Sequence, residues 1–134
     1  MEKLGEKSKF LFGLANADIT TDRTGVYSPV AGFRLLRGLL IANTVADTKV
    51  VTIELLQATD SSGTGSKALK AAVTFTSDGG ETLIATVDAL VEEMDIANGF
   101  NHVAVKVTSN NASAVIGCAA LELGDPRHLP VVAS

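Results

Sequence analysis

Tryptophan is absent from this chain of 134 residues, tyrosine occurs once, at Tyr27, and phenylalanine five times. So few rings leave little surface for stacking against sugars or bases. The core has to be built from Val, Leu, Ile and Ala, whose side chains suit pleated sheets. Basic residues are also scarce: 11 Lys and Arg against 15 Asp and Glu give a formal charge of −4. That speaks against a face that neutralises nucleic-acid phosphates and against electrostatic attachment to a membrane surface. The single cysteine, Cys118, excludes an intrachain disulfide and a cysteine-built zinc site. No apolar run approaches the ~20 residues that span a bilayer. The opening MEKLGEKSKF is charged and has no secretory apolar stretch, so the expectation is synthesis and retention in a cytosol.

What is present is apolar for a small domain. Only 19% of residues are charged and 46% are hydrophobic. One domain of this length buries roughly two-thirds of its unfolded surface, and surplus apolar content points to burial in an assembly.

The segment Asn98 to Pro130 shows the pattern most plainly. Val103, Val105 and Val107 alternate with Ala104, Lys106 and Thr108, the period of a half-buried strand. Ser109-Asn110-Asn111-Ala112 is a polar turn. Ala114 to Leu123 is a nearly uncharged run, as in a deeply buried strand, and Asp125-Pro126 stops it. The segment therefore reads as a β-hairpin with Val103, Val105, Val107 and Ile116 inside, followed by a proline-bearing tail.

Upstream, Gly32 to Asn43 has helix-like leucines, but Gly38 and the β-branched residues after it favour a strand. Thr48 to Ala58 alternates Val51, Ile53 and Leu55 with polar residues and is a strand. Ala68 to Thr76 is another, and Ser77-Asp78-Gly79-Gly80 signals a hairpin to Glu81 to Ala89. Ala17 to Pro29 reads as a loop with a short strand, and Glu92 to Gly99 as a helical turn closed by an Asn-Gly left-handed cap. About seven or eight strands with polar turns and no alternating helices describe an all-β protein, an antiparallel sandwich or small barrel.

Candidate chemistry is sparse. Gly63-Thr64-Gly65-Ser66-Lys67 invites a phosphate loop, but Ser66 separates glycine from lysine and no helix follows, so it reads as a connection between strands. Asp60 and Ser61 with His102 or His128 form no recognisable nucleophile motif. Glu92, Glu93 and Asp95 cluster without calcium-loop spacing and read as a solvated turn. Cys118, with no neighbouring cation, reads as a small buried hydrophobe.

Three pieces, in their order and spacing, resemble small virion proteins of tailed phages, the capsid decoration or cement type. They are VTIELLQATDSSGTGSKAL at 51–69, MDIANGFNHVAVKVTSNN at 94–111, and ALELGDPRHLPV at 120–131. The resemblance implies an antiparallel β-sandwich of jelly-roll kind, no cofactor, no metal and no catalytic residue. It also implies binding to a major capsid protein and self-association as a homotrimer on the outer capsid surface of a virion made in the host cytoplasm. On this reading the protein is not an enzyme and does not bind nucleic acid or membrane. Alternatives are a tail or head–tail joining component and a carbohydrate-binding module.

The expected organisation is an N-terminal arm at 1–12, a sandwich at 13–124 and a C-terminal tail at 125–134. Phe10 and Phe12 in the arm, and Arg127, His128, Leu129 and Val131 in the tail, are the expected contacts with capsid or neighbouring subunits. Pro126 and Pro130 would keep the tail extended.

Overall fold

The computed structural model describes residues 8–78, 81–111 and 115–126. Among these residues, ten strands form two antiparallel sheets. They are β1 (Ser8–Asp18), β2 (Arg23–Thr24), β3 (Ser28–Pro29), β4 (Phe33–Val45), β5 (Val50–Ala58), β6 (Lys67–Ala68), β7 (Val73–Thr76), β8 (Glu81–Leu90), β9 (His102–Ser109) and β10 (Ile116–Pro126). One sheet has the order β1-β10-β4-β8. The other runs β2-β9-β5-β6, with β3 on β9 and β7 on β5. Most connections carry the chain from one sheet to the other, and the first strand pairs with the last. This is the connectivity of a jelly roll.

The expected strands at Gly32 to Asn43 and Thr48 to Ala58 are present as β4 and β5. The region Ala68 to Thr76 breaks into β6 and β7. Two short 3-10 turns, Val91–Glu93 and Ile96–Asn98, occupy the predicted helical turn, and Gly99 closes the second with a φ of 85°.

Both predicted hairpins are corrected. β9 pairs with β5, β2 and β3, whereas β10 pairs with β1 and β4. Likewise β7 pairs with β5, and β8 with β4. Turn residues reverse the chain in each case, but the reversal spans the sandwich and does not join neighbours in one sheet. Side chains fasten these arches. Asn110 Oδ1 accepts from the Val50 amide at 2.8 Å, and Asn111 Oδ1 from the Ala46 amide at 3.1 Å. The buried Ser77 donates its hydroxyl to the Val45 carbonyl at 2.7 Å.

The core lies between the sheets. Leu36, Leu40, Ala85 and Val87 face Val51, Ile53, Leu55, Val103, Val105 and Val107. In β10 the inward residues are Ala119, Leu121 and Leu123, so the parity expected for Ile116 is corrected: it is exposed on the other face. Gly38, inward at the centre of β4, is hemmed in by side chains of both sheets. A Cβ there would lie 3.1 Å from Val87, 3.2 Å from Val105 and 3.3 Å from Leu55.

The Thr59–Ser66 connection is shaped by Asp60 and two glycines with positive φ, Gly63 and Gly65. A Cβ at Gly63 would sit 2.7 Å from the Tyr27 ring, while at Gly99 nothing lies within 4 Å. Both positions carry the left-handed cost of about 1–2 kcal/mol on substitution. Gly63→Ala is therefore expected to lower the urea midpoint further than Gly99→Ala, by about 1 kcal/mol in unfolding free energy.

Candidate functional site

The outward faces of the two sheets differ in kind. On the sheet containing β5 and β9, the outward pairs include Thr52 with Thr108 and Glu54 with Lys106, which water tolerates well, beside one apolar pair, Leu56 with Ala104. On the four-stranded sheet the outward residues form apolar rows. Ile41 stands opposite Ile84 and Cys118, and Leu39 opposite Ala120 and Thr86. Leu35 stands opposite Leu90 and Gly124. Of the seven large apolar residues exposed among the described residues, five belong here: Leu35, Ile41, Ile84, Leu90 and Ile116. A contiguous apolar face on a small domain marks an interaction surface.

One charged row crosses this face. Arg37 lies between Asp88 on β8 and Glu122 on β10. Its Nε donates to Asp88 Oδ1 at 2.7 Å. That hydrogen bond, then the Asp88 charge and more weakly the Glu122 charge, raises the guanidinium above its ordinary range. Beside the row is a half-open notch of about 430 Å³, with Leu35, Leu36, Ala89 and Leu90 among its apolar walls and Lys70, Glu93 and Glu122 among its charged ones. An apolar field with a single charged row gives a partner both buried area and a fixed register.

Phe10 and Phe12 occupy β1 positions opposite Glu122 and Ala120, so residues 8–12 belong to a strand of this sheet. Arg127, His128, Leu129 and Val131 lie outside the described residues. Cys118 is half-buried on the outer face and not in the core. The polar residues weighed for chemistry meet only in pairs: His102 lies within electrostatic reach of Asp60, and Lys67 meets Asp95. His102 Nδ1 is 2.7 Å from Asn101 Oδ1. Glu93 lies 3.8 Å from Lys70, whereas Asp95 takes Lys67 Nζ at 2.6 Å, with Phe100 beneath that ammonium at 4.2 Å. Among the described residues, no three of His, Cys, Asp and Glu converge as a metal site.

Three aspartates serve the loops. Asp60 accepts from the Thr64 hydroxyl at 2.6 Å and from the amides of Thr64 and Ser62, and these bonds hold its carboxyl below the usual range. Asp95 is lowered by Lys67 and then Asn98, and Asp18 by its bonds from Thr20. A carboxyl with a depressed folded pKa contributes stability above its unfolded value, near 4, and loses it as pH falls through the folded value. Thermal stability is therefore expected to be flat from neutrality to about pH 4 and to fall below it. Asp60→Asn should shrink that acid-side loss in scanning calorimetry between pH 5 and 2.

The outer face was missed by alternation alone, yet it left a signal: Phe33–Val45, Glu81–Leu90 and Ile116–Pro126 barely alternate. Such runs mean that both faces of a strand avoid water.

No protein-family model and no curated protein sequence matches the chain. Solved structures do. The PBSX exported protein XepA matches with a TM-score of 0.58 and 10% identity, over 100% of this chain and 42% of XepA. VP2 of infectious bursal disease virus, in a subviral particle, matches with a TM-score of 0.53 and 9% identity, over 90% of this chain and 33% of VP2. The Gx strain of that virus gives 0.52 and 9%, over 91% of this chain and 32% of the other. The chain thus spans less than half the length of each. At these identities the likeness is one of fold, a jelly roll of the kind found in viral capsid proteins.

Proposed function

We propose that the protein is a non-enzymatic structural component of a phage virion that binds the capsid shell as a decoration protein. The observation that carries this is the apolar outer face of the four-stranded sheet on a jelly-roll domain. The major capsid protein is the partner, and the face supplies the buried area of the contact. The Glu122–Arg37–Asp88 row fixes its orientation. The tail with Arg127, His128, Leu129 and Val131 adds a second, weaker attachment, as do Phe10 and Phe12 through β1. Many modest contacts repeated over a lattice hold a shell without any single tight site. Self-association on the outer surface adds to this.

The test is co-sedimentation of the purified protein with empty shells of the phage that encodes it. Saturable binding at a fixed ratio to the shell protein is expected, together with a higher temperature of shell rupture. No binding to shells, combined with a ring of six or twelve copies in solution, would sink the decoration reading in favour of a tail or connector component. Deleting residues 127–134, which leaves β10 whole, is expected to weaken binding about 10-fold without abolishing it, consistent with loss of one modest contact of about 1.4 kcal/mol. Unchanged binding would remove the tail from the interface.

A further inference from the structure

A sheet edge presents unpaired backbone groups, and proteins usually blunt it with bulges, prolines or short strands. Three of the four edges here are blunted. β1 carries two register shifts, between Phe12 and Leu14 and between Leu14 and Ala17. One edge of the other sheet is divided into the two-residue strands β2 and β3, with Pro29 in the latter. The opposite edge is divided into β6 and β7.

β8 is different. It is ten residues long, lacks proline and glycine, and pairs only with β4. Its free side can be read from two caps. Lys70 Nζ donates to the Asp88 carbonyl at 3.1 Å, and the Leu90 amide donates to Glu93 Oε2 at 3.3 Å. In an antiparallel ladder the amide and carbonyl of one residue point the same way, and alternate residues point oppositely. Thr82, Ile84 and Thr86 therefore share the free side with Asp88 and Leu90. The Lys70 and Glu93 caps close one end, and the centre of the open stretch is Ile84. It is 60% exposed, the highest value among the large apolar residues of this sheet whose burial is described.

We propose that the open edge of β8 pairs antiparallel with the β8 edge of a second copy, about a two-fold axis at Ile84. The register is self-complementary. Thr82 of each copy meets Thr86 of the other and Ile84 meets its own counterpart, so no like charges face each other along the open stretch. The two four-stranded sheets become one eight-stranded sheet whose apolar outer faces are continuous. This pairing does not depend on which shell the protein serves.

The experiment is sedimentation equilibrium of the full chain, with amide exchange read residue by residue. A particle of twice 13.8 kDa is expected. Ile84→Lys should halve that mass, while Ile96→Lys, exposed elsewhere, should leave it unchanged. In a Cys118→Ser background, Ile84→Cys should form a disulfide-linked dimer, since directly opposed residues in such a pair lie about 5.5 Å apart. The Ile84 and Thr86 amides of the parent should exchange slowly at high concentration and fast on dilution. A monomer, a trimer, a dimer indifferent to Ile84→Lys, or fast exchange of those amides in the dimer would overturn the proposal. The exchange measurement needs no variant. Shell binding, assayed with changes in β4 that leave the β8 edge intact, reports separately on the proposed function.

Discussion

A Leu35→Lys, Ile41→Lys double variant is expected to lose shell binding by about 100-fold or more while unfolding at nearly the parent's urea midpoint. Both side chains lie on the central strand β4 and are 44% and 43% exposed, so the domain loses little when they change. In a contact that covers the outer face, each change removes roughly 1–2 kcal/mol of apolar burial and places an ammonium where no carboxylate awaits it. Together these approach 3 kcal/mol, and every 1.4 kcal/mol is a factor of ten. Val26→Lys and Ile96→Lys, at least as exposed but away from this sheet, serve as controls and should bind like the parent. Parallel loss in all three variants would indicate a general charge effect and would remove the outer face from the model.

Gly38→Leu is expected to destabilise the domain by about 3 kcal/mol or more. The site is inward, and the nearest atoms are methyl groups of Val87, Val105 and Leu55, from three different strands. An added isobutyl group has no direction in which to go without parting the sheets, and overpacking of a close-packed core costs 1–3 kcal/mol even for small insertions. Against a total stability of 5–15 kcal/mol this is a large fraction. Gly38→Ala should cost less, and Val87→Ala should partly rescue it by removing the nearest methyl. A double-mutant cycle by urea denaturation should show that coupling, and strict additivity would mean that a Cβ at Gly38 does not press on Val87, its partner across the β4–β8 ladder.

The two predictions fall on the parts of the molecule that are least and most legible in the amino-acid order. The alternation of Val51, Ile53 and Leu55, and of Val103, Val105 and Val107, marks strands and their inward sides, because burial on one face imposes a period of two. The same rule says nothing about partners. The polar residues Ser109 to Ala112 predict the turn of a hairpin, yet β9 and β10 lie in opposite sheets. Turn chemistry records that the chain reverses, while the choice of neighbour depends on strands far away in sequence. The parity of β10 was misassigned for a related reason: with apolar residues at successive positions, nothing local says whether Ile116 or Gly117 faces in. The outer face was legible as excess hydrophobicity, but an apolar run is the same whether its cover is the rest of the chain or another molecule.

The pairing of β1 with β10 has a consequence in time. Asp18 and Ile116, partners in that ladder, are separated by nearly the whole domain. A ribosome adding roughly 5–20 residues per second needs on the order of 5–20 s to pass from one to the other. Throughout that interval the four-stranded sheet cannot be completed, and β4, apolar on both sides, has no β10 beside it. Long-range pairing of this kind also slows the search once the chain is free. Nascent chains of this protein are therefore expected to draw on chaperones until Ile116–Pro126 is available, and ribosome profiling of chaperone-bound chains should show engagement that persists through synthesis of that strand.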